Sequence, residues 1–408
     1  MKSVRKYHGE CNIKFDYGDS FESEYELLFS QGNIYLRCKL DILNQRFTRL
    51  INQFNQRRII NASLDGSILE PCGKIEANRL VLSTLDIQID KNKQNSYAVF
   101  RSFYPVRMTF GDIQQDDIVE LHYGLTNFLF NGCEWCLKGN IKTRDKFSVI
   151  IDGNTFEFRQ LDNYKFISEE LKKRKDVRIT SELIIRTQWR DIKQIESKVN
   201  DVLILLSLAQ GNWITYLYKD IYKEQNLVKT ELIPGKTMPF RKCPPLIDAK
   251  HFESCDTKTF LETTFPRYQE LKDDLGLNIV IEYSIISKMA PFLEIKYLLG
   301  AITFECITSY LSDYFKKLKK YVNLSTLRSK ILALLSHFDV TYKEKELEDF
   351  IKYRDKLVHT GRFPSDVNPL EAWIKLQNFI DRTLLTILGY KGKPYINSAK
   401  GFVKELLI

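Results

Sequence analysis

The stretch Tyr353 to Gly361, YRDKLVHTG, holds side chains suited to phosphate and proton-transfer chemistry. Arg354 carries a guanidinium that forks onto phosphate or carboxylate oxygens and keeps its charge at any physiological pH. His359 titrates near neutrality and can donate or accept a proton. Asp355 stands four residues before His359, so on a helix the carboxylate can reach and orient the ring. Lys356 and Arg362 flank these groups and are candidate substrate-binding residues for an anionic ligand. The same residues also fit a plainer arrangement. In it Arg354 makes a structural ion pair and His359 is favoured by the dipole at a helix C-terminus.

The element that must position them is a helix. Between Glu346 and His359 the apolar residues are Leu347, Phe350, Ile351, Leu357 and Val358. At about 100° per residue they fall on one stripe, with Arg354 in its middle. Gly361 stands where a helix prefers its C-cap. A guanidinium on a core stripe needs an acidic or phosphate partner. An upstream helix offers one. From Leu298 to Ile307 the chain is apolar almost all round, which predicts a buried helix, and Glu305 is the only charged residue in that span. Glu305 is therefore expected to be buried, close to Arg354, and to hold the guanidinium towards a cleft.

R-D-K-L-V-H, late on a helix in an all-helical C-terminal segment, resembles the R-x4-H motif of the HEPN superfamily. Leu298 to Leu311, LLGAITFECITSYL, resembles that family's earlier helix, with Glu305 as its acidic residue. A long β-rich region followed by such a bundle resembles the ApeA-like HEPN proteins of bacterial anti-phage defence. At the level of motifs the match covers the C-terminal helical segment; for the N-terminal region it is one of architecture.

The resemblance implies a metal-independent endoribonuclease that needs no cofactor. The RNA substrate supplies its own nucleophile, the 2′-OH. His359 is then the general acid or base, Arg354 sits on the phosphate and Asp355 orients the histidine. Positions five apart on a helix diverge by about 140°, so one copy presents Arg354 and His359 poorly to one phosphate. The resemblance accordingly implies a homodimer, or a larger even-numbered oligomer, through the C-terminal bundle. It further implies a toxin-like role in abortive infection, with a phage-derived trigger and the N-terminal region as restraint or sensor. Two other readings remain open. One is a non-catalytic dimerisation or nucleotide-binding module with an N-terminal sensor. The other is a sugar- or peptide-binding protein acting through its β region.

The 408 residues suffice for two or more domains, and 44% hydrophobic content is ordinary for a soluble globular chain. No apolar run approaches the roughly 20 residues that span a bilayer, so no membrane partner is expected. The N-terminal MKSVRKYHGE lacks the apolar core of a secretory signal, which points to the cytoplasm and to free thiols. A net charge of +9 permits an anionic partner without requiring one. Cys133 and Cys136 form a lone CxxC. Structural zinc would need a second pair, so packed thiols are expected and no metal.

The expected class is α+β. Residues 1–250 read as a β-rich, sandwich-like region or curled antiparallel sheet, of one or two subdomains, carrying a helix. Strands are expected over 80–89, 97–110 with a break at Pro105, 147–151, 155–161 and 177–187. A hairpin is expected at Asp152-Gly153-Asn154. Residues 47–58 fit a short helix or a loop. Residues 188–209 turn helical in period, and 213–222 return to a strand whose Trp213, Tyr216, Tyr218 and Tyr222 either stack bases or pack on the sheet. Residues 257–408 read as an all-α, HEPN-type bundle with helices over 257–274, 278–289, 291–320, 325–338, 344–360 and 369–388. Lys316, Lys317, Lys319 and Lys320 either complement a helix dipole or hold phosphates.

Overall fold

From Tyr7 to Phe15 every second residue is buried: Tyr7, Gly9, Cys11, Ile13 and Phe15. That period of two is what a strand with one face on a core requires, and the N-terminal part of the chain repeats it strand after strand. The computed structural model describes residues 4–404, apart from 41–44, 57–58, 91–92, 139–140, 236–237, 242, 244, 248–255, 393 and 399–400. The class is α+β. By its internal contacts the chain forms two compact units. The first comprises Met1–Asn127, Leu161–Ile192 and Thr215–Pro239; the second comprises Phe128–Gln160, Lys193–Ile214 and Phe240–Ile408.

The first unit opens with β1 (Val4–Phe15), β2 (Ser20–Ser30), β3 (Asn33–Leu40), α1 (Gln45–Asn55), β4 (Asn61–Ile68), β5 (Gly73–Asp90) and β6 (Lys93–Ser102). Their antiparallel pairing runs β4-β1-β2-β3-β6-β5, and β5 pairs back to β4. The sheet is thus a closed six-stranded barrel rather than a sandwich. Closure removes both free edges. It also lets inward residues such as Phe29, Leu36, Leu64, Leu80 and Phe100 fill one interior at essentially zero exposure. Gly9 is required where β1 meets β4, because a Cβ there would overlap the Ser67 carbonyl. The undecided 47–58 stretch is helix α1, with Leu50 buried in the barrel core; residues 57–58 lie outside the described residues. Beyond Pro105 come β7 (Val106–Thr109) and β8 (Ile118–Thr126).

In chain order the second unit follows with β9 (Glu134–Lys138), β10 (Ile141–Ile151) and β11 (Asn154–Gln160). They form an antiparallel meander whose expected hairpin is present, with Asp152 and Gly153 both at positive φ (46° and 79°). Phe128, Phe130, Phe147 and Phe158 make its aromatic core, Phe147 and Phe158 stacking at 4.7 Å. Cys133 is disulfide-bonded, against the expectation of free thiols; the Cys136 side chain lies outside the described residues.

The chain then completes the first unit with α2 (Tyr164–Arg174), β12 (Ile179–Gln188) and, after a helix of the second unit, α3 (Ile192–Gln210), with β13 (Tyr216–Lys223) and β14 (Asn226–Leu232). Strands β7-β14-β13-β8-β12 extend the sheet from β5. The three tyrosines of the aromatic series are used in packing. Tyr216 stands edge-on to Tyr123 at 5.0 Å, and Tyr222 lies 4.7 Å from the His122 ring. Tyr218 is buried beneath the Arg5 guanidinium and donates to Glu182 at 2.6 Å.

The expected boundary near residue 250 lies outside the described residues. The second unit reaches back to α3 for a physical reason. Helix α3 is buried on most of its circumference and needs cover from its own unit. Asp201 accepts from Gln269 at 2.7 Å and Lys272 at 2.8 Å, and the Ala209 carbonyl accepts from Leu246 and Ile247. The remaining helices are α4 (Asp256–Leu271), α5 (Leu277–Met289), α6 (Leu293–Lys317), α7 (Leu327–His337), α8 (Glu344–Thr360) and α9 (Pro369–Ile387), followed by the hairpin β15 (Tyr395–Ser398) and β16 (Gly401–Lys404). Helix α6 is the hub, packing against α5, α7, α8 and α9. Among the described residues no helix is long and apolar enough to cross a membrane.

Candidate active site

Helix α8 is held at both ends. The Lys343 N–H donates to Glu346 Oε2 at 3.1 Å, and Gly361 closes the helix at φ 68° with its N–H on the Leu357 carbonyl at 2.8 Å. Leu347, Phe350 and Leu357 are its buried residues. Helix α9 starts at Asn368, whose Oδ1 accepts from the Leu370 N–H at 3.0 Å, with Pro369 at the first helical position. Phe304 of α6 meets Phe350 of α8 at 5.3 Å and Phe379 of α9 at 4.8 Å. This aromatic junction fixes the register of the three helices. Glu305 follows Phe304 directly and Arg354 lies one turn beyond Phe350, so the register brings the two opposite each other.

The expected ion pair is present. Arg354 Nε donates to Glu305 Oε1 at 2.7 Å and Nη2 lies 2.6 Å from the same oxygen, while Nη1 donates to Asp355 Oδ1 at 2.8 Å. These contacts leave two of the guanidinium's five N–H donors unused. The Asp355 hydrogen bond, against the opposing effect of burial, raises the Arg354 pKa further above its ordinary value, and Glu305 adds to it.

Three sequence expectations are corrected. Glu305 is not buried: its side chain is 36% exposed, and that of Arg354 27%. The apolar stripe is narrower than expected, because Val358 is 54% exposed and Ile351 only half-buried, while Leu357 stays buried. Arg354 thus stands at the rim of the core. Asp355 engages Arg354, not His359, since the guanidinium next to it is a charged donor already in reach. His359 is exposed and has no hydrogen bond or ion pair among the described residues, and the same holds for the side-chain charges of Lys356 and Arg362. The structure therefore brings Arg354, Glu305 and Asp355 together. It leaves His359, Lys356 and Arg362 as free, solvated groups on the last turn of α8 and just beyond it.

The lysine run at the end of α6 is partly spent on local partners. Lys316 pairs with Asp313, Lys317 with Asp274, and Lys320 donates to His337 Nδ1 at 3.2 Å. A buried group escaped sequence reasoning altogether. Lys288 pairs with Asp381 at 2.8 Å, and Gln377 donates to the same oxygen at 3.0 Å. Gln377 and Asp381, four apart on the apolar face of α9, were the signal that could have found it.

No family model matches the chain, and neither a curated protein nor a solved structure matches it.

Proposed function

We propose that the C-terminal helices are a HEPN-type bundle and that the protein is a metal-independent endoribonuclease acting as a homodimer in anti-phage defence. The observation that carries the reading is the Glu305–Arg354 contact across α6 and α8, with an unengaged histidine on the same helix five residues on. RNA needs little more from its catalyst. A base takes the proton from the 2′-OH as that oxygen bonds to phosphorus. An acid gives a proton to the 5′-oxygen as its bond to phosphorus breaks. The products are a 2′,3′-cyclic phosphate and a 5′-hydroxyl. His359 serves in these proton transfers, the two remaining N–H donors of Arg354 bind the phosphorane oxygens, and Lys356 and Arg362 hold the flanking backbone.

One copy separates Arg354 and His359 by about 140° around the helix. A second copy facing it restores a composite site. The surface near the pair suits that: Ile295 of α6 is 43% exposed, Leu298, Leu299 and Ile302 are half-exposed along the same helix, and Val358 is exposed on α8. The test is incubation of purified protein with RNA in EDTA, beside His359→Ala. Cleavage by the first alone supports the reading, and equal cleavage by both removes it. The second reading, a non-catalytic dimerisation or nucleotide-binding module, is favoured by one fact: two carboxylates already neutralise Arg354.

A further inference from the structure

A cavity of about 350 Å³ opens between α8 and α9 over α6. At its base lie Tyr297, Phe350, Leu376 and Phe379, packed so closely that each is at most 4% exposed, and the half-buried Tyr353 and the stems of the rim lysines line the open volume above them. Its rim carries three amines, Lys343, Lys345 and Lys375. All three are exposed, and none has an ion-pair partner among the described residues. The two rim carboxylates do not cancel them. Glu346 is taken by Arg382 Nη2 at 2.7 Å and by the Lys343 N–H, which leaves Asp349 alone against three ammonium groups. The N-terminus of α8, at Lys343, adds the positive end of its dipole to the same mouth.

We propose that this cleft binds a small aromatic anion. Its ring lies against Tyr353 and the lysine stems over that apolar base, and its carboxylate, sulfonate or phosphate meets Lys343, Lys345 and Lys375. Such a ligand gains apolar contact in the cleft and charge at its rim, whereas a neutral ring would leave the amines unused and a bare anion would leave the apolar lining uncovered. Tyr353 also lines the cleft and directly precedes Arg354, so an occupant bridges α8 to α9 beside the pair described above. The inference does not depend on catalysis.

The probe is 8-anilinonaphthalene-1-sulfonate, titrated by fluorescence into the full chain and then displaced by 2-naphthoate, by adenosine monophosphate or by uncharged 2-naphthalenemethanol. One saturable site is expected, displaced by at least one of the two anions and poorly by the alcohol. Displacement by the nucleotide alone identifies a nucleotide-like ligand; displacement by naphthoate alone identifies an aromatic carboxylate. The double variant Lys345→Gln/Lys375→Gln, altered only at exposed positions, should bind about tenfold more weakly with an unchanged melting curve. Ala372→Leu, which narrows the cavity, should lose the site. Unaltered binding by the lysine variant, equal displacement by the alcohol, or displacement by neither anion would overturn the proposal.

Discussion

Glu305→Gln keeps the shape of the contact with Arg354 and removes its charge, and its cost can be bounded from the geometry. An exposed ion pair contributes about 0.2–1 kcal/mol. Removing one partner of a fully buried pair costs about 3–5 kcal/mol. With side chains 36% and 27% exposed, Glu305 and Arg354 lie between these limits and nearer the first. Two N–H groups on one carboxylate oxygen place the pair at the upper end of the exposed range. A coupling energy of about 1 kcal/mol is therefore expected in the cycle Glu305→Gln, Arg354→Gln and the double variant. The two units need not unfold together, so the suitable assay is hydrogen exchange of the α8 amides, which reports the local opening free energy. Asp355 keeps its contact with Arg354 in Glu305→Gln and loses it in both variants that lack Arg354, so that loss cancels from the cycle. Zero coupling would mean that solvent screens the pair completely. Coupling above about 3 kcal/mol would mean that it is sealed from solvent. Either result refutes the reasoning.

Other outcomes follow from the same structure. His359→Ala and Arg354→Ala should each abolish RNA cleavage while EDTA leaves it intact, measured on a labelled transcript; loss of activity on chelation would contradict the proposed mechanism. The chain should be a dimer or larger even-numbered oligomer by light scattering, and Val358→Glu should shift it towards monomer with loss of cleavage. His337, with Lys320 donating to Nδ1, has its pKa lowered by burial first, then by Lys320 and Arg267. The unfolded state therefore binds more protons below pH about 6.5. Stability from this group is full above that pH and is lost as pH falls through the lowered folded value, and His337→Gln should flatten the melting temperature between pH 7 and 5. Gly124→Ala should destabilise the first unit by about 1–3 kcal/mol. The new Cβ would overlap the Tyr218 ring, which is pinned by Glu182 and Arg5, and denaturant unfolding would show whether it does.

Local chemistry was legible where the chain punctuates itself. Helix α8 runs Glu344–Thr360, matching the expected 344–360, because its periodicity ends at a glycine able to take a left-handed φ. Asn368-Pro369 and Asp152-Gly153 marked a helix start and a hairpin for equally local reasons. Barrel closure was not legible. It depends on β4 pairing with both β1 and β5, a matter of non-local register that no alternation pattern encodes. Nor was the division into units, since α3 reads as an apolar helix whatever covers it. Arg5 gave no signal either. It stands in a charged N-terminal run, yet it makes two 2.7 Å contacts with Asp220, 215 residues away.

The misjudged depth of Arg354 bears most on function. A helical wheel gives the angle of a side chain but not how far the partner helix extends over it. Helix α6 covers α8 at the Phe304–Phe350 contact and Leu357 stays buried further along, but on the flank that carries Ile351, Arg354 and Val358 cover thins towards solvent. A guanidinium sealed beneath that junction would be a structural staple, with its donors spent on protein and no route to a polymer. At the rim its stem packs while its head stays hydrated. Glu305 and Asp355 then orient the fork without consuming it, and the two remaining N–H donors can reach a phosphate. The same thinning exposes His359, Lys356 and Arg362, the unengaged basic groups that an anionic chain would meet first. A solvated pair contributes little to stability. Under the proposed function its part is to aim the Arg354 fork, and the small coupling expected for Glu305→Gln beside a large loss of cleavage would separate that part from a purely structural one.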